Sequence, residues 1–380
     1  MSGDNANDLA LVMSGGGARA AYQVGYLRGI ARHFEELDLP VITGVSAGAI
    51  NAAYLANEAG NFRHKAEALA RLWANLDTDQ IYRVDTLSVL RYALGWGARL
   101  LMGRASHAIH LKSLVDTTPL MEMMQSNLTT QRGELTGIEE NIHNGRLRAI
   151  AITASSYSTG RSITWIQGKG INTWERAHRK SVITNLHLNH ILASASLPMF
   201  FPAVHVVDGW YGDGGIRLTA PLSPAIHLGG RRLLAISTRY LRQEEERELT
   251  NIDDYPPPAQ VVGAMFNAVF LDLFDNDALR LQRVNDLINR IPGGQYGELQ
   301  PVKLLLLRPS RDLGRLANEF EPSLPRTFRF MTRGLGTGET RSNDLLSMIM
   351  FQPDYINQLL DLGTTDALNK MDEIKQFLRE

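Results

Sequence analysis

Cysteine is absent from the 380-residue chain, which excludes disulfides and thiolate metal sites. An excess of charge of one sign is lacking too, because 39 Lys and Arg side chains oppose 40 Asp and Glu side chains. No net field therefore recruits nucleic acid or an anionic membrane surface, and no nucleic-acid partner is expected. A run of about 18 uncharged apolar residues does not occur either, so we expect no membrane span and only peripheral lipid contact.

Two signature segments are missing as well. The start of the chain has no basic stretch followed by an apolar one, the pattern of a secretory signal, so we expect a cytoplasmic protein. No Gly-Lys-Ser or Gly-Lys-Thr tripeptide occurs, which excludes a phosphate loop of the Walker type.

Apolar runs that are typical of strands alternate with helical patterns along the chain. This alternation predicts an α/β fold with a mainly parallel central sheet covered by helices on both faces. A run at 162–166 is expected to pair with the one at 149–155 through the turn at 158–160. The main strand-like runs lie at 9–13, 41–43, 147–154 and 231–238.

A serine lies where a strand is expected to give way to a helix. Gly44-Val45-Ser46-Ala47-Gly48 follows the run at 41–43 and precedes an Ala- and Leu-rich stretch that is typical of a helix. Gly44 and Gly48 suit such an elbow, because the strand and helix backbones must pass close together. The start of the helix favours negative charge near Ser46. The pattern predicts a nucleophile for ester cleavage, although a plain Gly/Ser turn gives the same five letters.

A glycine triplet follows the first strand. Gly15, Gly16 and Gly17 come directly after the run at 9–13 and before a helical pattern at 20–34. Strand, glycine loop and helix also begin a dinucleotide-binding unit, but that unit needs an acidic residue at the end of the second strand. Here the second strand ends in the serine elbow instead, so the N–H groups of the loop are better suited to an oxyanion hole.

The base that would activate Ser46 is either a histidine or a carboxylate. After residue 205 the single histidine is His227, in a short expected helix that closes on glycine. Two Asp-Gly pairs offer the other choice. Asp208 fits a two-residue hairpin turn, whereas Asp213 has glycine on both sides and no strand directly after it. A carboxylate becomes an effective base when it is desolvated and held within hydrogen-bond distance.

Taken in order, these motifs resemble those of the patatin-like phospholipases. That family has a glycine-rich oxyanion loop near the N-terminus, a Gly-x-Ser-x-Gly elbow about thirty residues later, and a late Asp-Gly-Gly or Asp-Gly-Ala motif. The corresponding segments here are 15–20, 44–48 and 213–215. The small-residue and proline segment at 193–202, which includes Met199, also looks like the family's segment ahead of the aspartate.

The resemblance implies a dyad of Ser46 and Asp213 that works without histidine, supported by Gly214 and Gly215. It further implies an oxyanion hole formed by the amides of the glycine triplet and release of fatty acid from lipid esters. Neither a metal ion nor an organic cofactor is required by that chemistry. Two rivals stay open, a histidine-dependent esterase or acyltransferase that uses His227 and a non-catalytic scaffold.

Two residues of the loop need comment. Ala20 stands where the family usually has glycine, and it is small enough to substitute for it. Arg19 matches a basic residue often found in that loop, and it is interpreted either as a surface salt link at the start of the helix or as a contact to a lipid head group.

The resemblance covers the first two thirds of the chain. We expect a catalytic domain over 9–239 and a mostly helical extension over 240–380, after an acidic run at 243–248 and the prolines at 256–258. The run at 302–308 is an expected strand that returns to the sheet. The helical end of the extension is interpreted as a regulatory cap or an oligomer contact.

Two segments are candidates for peripheral lipid contact. The segment at 87–102 mixes Leu, Tyr and Trp with arginines, which suits an interfacial helix or a core helix with some surface arginines. The apolar stripe at 261–274 suits core packing or the wall of a lipid-binding gorge.

Overall fold

A computed structural model describes residues 8–83, 113, 115–198, 200–207, 209–241, 256–291, 299–324, 329, 333–334 and 342–379. A mixed, mainly parallel sheet lies at its centre, as the alternation of strand and helix patterns predicted. In chain order the strands are β1 (Leu9–Met13), β2 (Val41–Val45), β3 (Ala149–Ser156), β4 (Ser162–Gly168), β5 (Glu175–Arg176), β6 (Arg179–Ile183), β7 (Val204–Val206), β8 (Gly209–Asp213), β9 (Arg232–Ile236) and β10 (Lys303–Leu307).

The sheet has the order β10-β9-β1-β2-β3-β4-β6-β5. Its first five strands are parallel to one another, with Ala10 opposite Val41 in β2 and opposite Leu233 in β9. β4 runs antiparallel to β3, as expected for the turn at 158–160. β8 pairs antiparallel with the last residues of β3 and with β7. Loops after β1 and β2 therefore emerge side by side at one edge of the sheet.

Helices cover both faces of the sheet. Alternate residues of β1 point to opposite sides, so Leu11 and Met13 belong to one core and Ala10 and Val12 to the other. The helices are, in chain order, α1 (Ala20–Ala31), α2 (Ala47–Asn57), α3 (Phe62–Ala74), α4 (Thr78–Ile81), α5 (Thr118–Asn127), α6 (Thr136–His143), α7 (Leu188–Ala195), α8 (Ser223–His227), α9 (Pro258–Phe266), α10 (Leu273–Asn289), α11 (Leu313–Phe320), α12 (Asp344–Ile349), α13 (Pro353–Asn369) and α14 (Met371–Arg379).

The C-terminal third contributes to the same core. β10, at the stretch expected to be a strand, extends the sheet beside β9. α13 packs closely along α1, because Gly25 lies against the backbone of Leu360 and Gly363 lies against that of Tyr22. Fully buried Tyr22 and Tyr26 sit in this seam and contact each other edge to face. The division of the chain at residue 239 stays a prediction.

Several sequence interpretations fall on residues outside the described ones. These are the segment at 87–102, the acidic run at 243–248, and the individual residues Met199 and Asp208. The strands on either side of Asp208 do pair antiparallel, with Val206 opposite Gly209. Among the helices that the structure describes, none has the length and apolar character needed to cross a bilayer.

Candidate active site

Ser46 lies at the turn between β2 and α2, where the sequence placed a strand-to-helix elbow. Its backbone has φ 58° and ψ −135°, a conformation that is strained for any residue with a Cβ atom. Its N–H donates to Ser194 Oγ at 3.0 Å, and that hydroxyl in turn donates to the Thr153 carbonyl at 2.6 Å. A Cβ atom at Gly48 would lie 2.7 Å from the Met13 carbonyl oxygen. Close backbone packing and these hydrogen bonds hold the strained serine in place.

The glycine triplet turns back over Ser46. A Cβ atom at Gly15 would lie 2.7 Å from the Cβ of Ser46, so the loop and the elbow are in contact. Gly16 and Gly17 have φ values of 144° and 56°, which favour glycine. In the described part of the chain no group accepts a hydrogen bond from the N–H of Gly16 or Gly17. These two amides are therefore free to bind an anionic oxygen.

Buried hydrogen bonds from the segment after β9 and from α1 fix the loop. Thr238, just beyond the end of β9, donates its hydroxyl to the Gly15 carbonyl at 2.8 Å. Gln23 in α1 donates to the carbonyls of Ser14 and Ile236 at 2.9 and 3.0 Å. The loop is thus tied to both β9 and α1, which limits its movement.

Asp213 is the last residue of β8 and is fully buried. Its N–H donates to the Ser196 carbonyl at 2.8 Å, and its Oδ1 accepts from the Gly215 N–H at 2.8 Å. Oδ2 is buried and accepts no hydrogen bond of normal geometry from any described residue. Burial raises the pKa of Asp213 to about 7, while the nearby Ser46 hydroxyl and the Gly215 amide oppose that rise. A carboxylate with this pKa can accept a proton near neutral pH.

The topology explains why these motifs meet. The glycine loop follows β1 and Ser46 follows β2, and the two strands are parallel neighbours. Asp213 is paired with Ala154 near the carboxyl end of β3, the strand on the other side of β2. Gly214 packs beside Val45 at the end of β2, which brings the Asp-Gly-Gly turn against the elbow.

An apolar pocket opens onto Ser46. Apart from the glycines of the loop and the serine itself, its walls are hydrocarbon, sulfur or aromatic side chains, most of them from the first core and from α12. Such a lining suits an acyl chain rather than a polar group. The wall residues are Ala47, Ile50, Leu72, Trp73, Leu76, Ile81, Leu120, Met123, Ala195, Leu197, Phe201, Phe270, Met348, Ile349 and Phe351.

Comparison with known proteins assigns the chain to a family. The model of the patatin-like phospholipases matches residues 11–226, more than half of the chain. The chain belongs to the patatin-like phospholipase family. This membership implies a serine lipid hydrolase. A comparison with curated protein sequences finds no match.

Solved structures that are similar to this patatin-like chain include two bacterial proteins and one human enzyme. VipD from Legionella pneumophila is 13% identical with a TM-score of 0.35, over 93% of this chain and 67% of that one. Human GIVD cytosolic phospholipase A2, in complex with methyl gamma-linolenyl fluorophosphonate, is 12% identical with a TM-score of 0.48, over 99% and 59%. ExoU from Pseudomonas aeruginosa, in complex with SpcU, is 12% identical with a TM-score of 0.28, over 90% and 76%. This chain thus spans about three fifths of the length of the human enzyme.

Arg19 of this patatin-like chain has a different environment from the one expected. Its side chain is buried, and Nη2 pairs with Asp344 Oδ1 at 2.5 Å. The expectation of a surface salt link is wrong, because α12 covers the guanidinium. The other interpretation, a contact to a lipid head group, stays untested, although the buried guanidinium already has a carboxylate partner.

His227 is held on the other side of the sheet. It ends α8, whose Ala225 packs with Ala10 and Val12 in the second core, whereas the walls of the Ser46 pocket belong mainly to the first core. Its ring stacks on Trp174, with ring centroids 4.6 Å apart. Burial and two neighbouring arginines lower its pKa. The structure does not bring His227 to Ser46.

Sequence reasoning missed several residues that hold the site together. Ser194 and Ser196 lie in the small-residue segment at 193–202 that the family resemblance marked. The alternation of alanine and serine in that segment was the available signal. Thr238 ends the strand-like run at 231–238, and Asp344 lies in a region without any motif. No three His, Asp or Glu side chains in the described ranges lie close enough together to hold a metal ion.

Proposed function

We propose that this chain is a lipid acyl hydrolase of the phospholipase A or lysophospholipase type, with Ser46 as its nucleophile and Asp213 as its base. The observation that carries the proposal is the fully buried Asp213 carboxyl group next to the hydroxyl of Ser46, the strained serine of the elbow. The apolar pocket described above opens at the same place and is called the acyl pocket from here on.

The first half of the reaction transfers the acyl group to the enzyme. Ser46 Oγ attacks the ester carbonyl carbon while its proton passes to Asp213 Oδ2, and the carbonyl oxygen becomes an anion. The N–H groups of Gly16 and Gly17 donate to this oxyanion, and the adjoining Gly15 amide belongs to the same loop. When the tetrahedral intermediate collapses, the C–O bond to the alcohol breaks and Asp213 returns the proton to the leaving oxygen.

The second half releases the fatty acid. Asp213, ionised again, takes a proton from a water molecule whose oxygen attacks the acyl carbon. Collapse of this second intermediate breaks the bond to Ser46 Oγ, which regains its proton from Asp213. A carboxylate in water has a pKa near 4 and is a weak base toward a hydroxyl. Desolvation at this site raises the pKa to about 7, which supports the use of a carboxylate without histidine.

We further propose that the lipid substrate is presented at a membrane surface close to α9. The stretch from Pro256 to Leu271 contains no charged residue. Its inner side places Phe270 in the acyl pocket, while Val261 and Met265 on α9 are 44% and 63% exposed. Phe270 in the pocket lining supports the gorge-wall alternative given for the stripe at 261–274. The exposed residues of α9 supply an apolar outer face for contact with a membrane.

The test is labelling with a fluorescent alkyl fluorophosphonate, followed by mass spectrometry of the modified peptide. We expect wild type to be labelled on Ser46, Ser46→Ala to be unlabelled, and Asp213→Asn to react at least 100-fold more slowly. His227→Ala serves as the matched control and should react at the wild-type rate. A large loss with His227→Ala would support the histidine-dependent rival, and no labelling of folded wild type would support a scaffold.

A further inference from the structure

A buried ion pair ties the glycine loop to the C-terminal third of the chain. Arg19, two residues after Gly17, has a side chain that is only 3% exposed, and its Nη2 lies 2.5 Å from Asp344 Oδ1. Its Nε donates to Ser347 Oγ at 2.6 Å. Both partners lie on α12, one helical turn apart, so the guanidinium is held at two points on a single rigid element.

The second oxygen of Asp344 faces another part of the site. Oδ2 accepts a hydrogen bond from Asn267 Nδ2 at 2.5 Å. Asn267 begins the π-helical turn that ends at Leu271. Phe270 of that turn lines the acyl pocket and lies against Gly215, within the Asp-Gly-Gly motif. One carboxylate therefore connects the glycine loop with the segment that packs against the aspartate motif.

The backbone of the loop also rests on α12. Gly17, at φ 56°, lies so close to the Met348 carbonyl that a Cβ atom would overlap it. Met348 and Ile349 in turn form part of the pocket wall around Ser46. The position of α12 thus sets the position of the Gly17 amide, and the Arg19 contacts hold the two together.

We propose that Asp344 is a positioning residue, which holds the Gly16 and Gly17 amides where an oxyanion will form by anchoring Arg19 and Asn267. This inference rests on the proposed function. Backbone donors accelerate acyl transfer when they are fixed before the reaction, and a displacement of about 1 Å can lower the rate roughly 100-fold. A charge-assisted, buried contact with several hydrogen bonds is stiff enough for that task. The match to the family model ends at residue 226, so it assigns nothing to Asp344.

The chain provides a matched control pair in the contact between α1 and α13. Arg28 of α1 pairs with Asp361 of α13 at 3.1 Å, but the Asp361 side chain is 74% exposed and Arg28 lies about two helical turns along α1 from the glycine loop. Asp344→Asn and Asp361→Asn each remove the carboxylate of one Arg–Asp pair. The arginine lies just before α1 in the first pair and within α1 in the second, and both aspartates lie on C-terminal helices. They differ in their connection to Gly17.

The experiment measures kcat and KM with a soluble p-nitrophenyl ester, together with the rate of fluorophosphonate labelling. We expect Asp344→Asn to lower both kcat and the labelling rate by about 10- to 100-fold, with KM within twofold of wild type. Asp361→Asn should match wild type in all three quantities. Equal kcat values for the two variants would overturn the inference while leaving the proposed function intact. Absence of hydrolysis and labelling in wild type would instead contradict the proposed function.

Two further variants separate positioning from simple stability. The double variant Arg19→Met, Asp344→Leu replaces the pair with apolar side chains. We expect it to regain the melting temperature that Asp344→Asn loses, but not the kcat that Asp344→Asn loses. Recovery of kcat to the wild-type value would show that the ionic contact is not needed for positioning.

If Asp344→Asn does not fold, Ser347→Ala is used for the test instead. It removes one acceptor of Arg19 and should lower kcat at least threefold with KM unchanged. An unchanged kcat in Ser347→Ala would then contradict the inference.

Discussion

Replacement of Asp213 by asparagine should make the protein less active and should remove part of its loss of stability at rising pH. The carboxyl group is fully buried, and burial raises its pKa from an ordinary value of 3.8 to about 7. Between these two values the native state holds a proton that the unfolded chain has released. Stability that is fully present below pH 3.8 is therefore lost as the pH rises through 7. Asparagine cannot ionise and so escapes this loss.

The size of the effect follows from the two pKa values. Between pH 5 and pH 8 the free energy of unfolding of wild type should fall by about 2.5 kcal/mol relative to that of Asp213→Asn. Asparagine keeps the oxygen that accepts from Gly215, while its Nδ2 takes the place of an oxygen without a partner. The exchange of Oδ2 for Nδ2 changes the free energy of unfolding by about 1–3 kcal/mol. This change is the same at every pH, so it cancels when the pH dependence of the two proteins is compared.

Urea unfolding of both proteins at pH 5, 6, 7 and 8, followed by circular dichroism, measures the difference. The Asp361→Asn variant, which alters an exposed carboxylate, controls for the general pH dependence of the chain. Parallel curves for wild type and Asp213→Asn would refute the reasoning, because they would mean that the native pKa of Asp213 is not raised. Such a result would also remove the physical basis for Asp213 as a base near neutral pH.

Three other predictions concern the same site. For a soluble ester, kcat/KM should rise with pH to a plateau with a midpoint close to 7, and a profile flat from pH 5 to 8 would contradict the role of Asp213. Gly48→Ala places a Cβ atom 2.7 Å from the Met13 carbonyl oxygen and should destabilise the protein by about 1–3 kcal/mol in thermal unfolding; an unchanged melting temperature would mean that the elbow is not closely packed. Ile50→Trp, one turn along α2 from Ser46, should lower hydrolysis of a C16 ester at least tenfold more than that of a C4 ester, since it narrows the acyl pocket. Equal losses for both chain lengths would place the acyl chain elsewhere.

The parts of the site that sequence reasoning predicted are those whose chemistry is local. A strand that breaks into a helix at Gly-x-Ser-x-Gly sets the position of Ser46 within five residues, and a glycine triplet after a buried strand does the same for the loop. The parallel order of β1, β2 and β3 also follows from alternating apolar runs and helices. These features need no knowledge of distant contacts, which is why they could be predicted and why the family motifs coincide with them.

The contacts that hold these motifs together join residues far apart in the chain. Ser194 binds the Ser46 amide across 148 positions, and Asp344 pairs with Arg19 across 325. No periodicity or spacing encodes such pairs. The helical, polar-rich pattern at 341–380 is interpreted as a regulatory cap or an oligomer contact, and it does not reveal that α13 packs along α1 through glycines on both helices. The burial of Arg19 has no signal in the sequence either, because the helix that covers it lies in a region without motifs.

The C-terminal third of the chain contributes to the surroundings of the buried Asp213 carboxyl group. Desolvation gives Asp213 the pKa that histidine would otherwise provide, but keeping a charge there lowers stability as the pH rises. Phe270, from the segment after the family match, lies against Gly215, whose N–H donates to Asp213. Asn267 of the same turn is bound by Asp344, which also holds Arg19 of the glycine loop. Residues beyond 226 therefore pack against both the aspartate motif and the glycine loop, so the proposed chemistry depends on contacts that the motif-bearing segment alone does not provide.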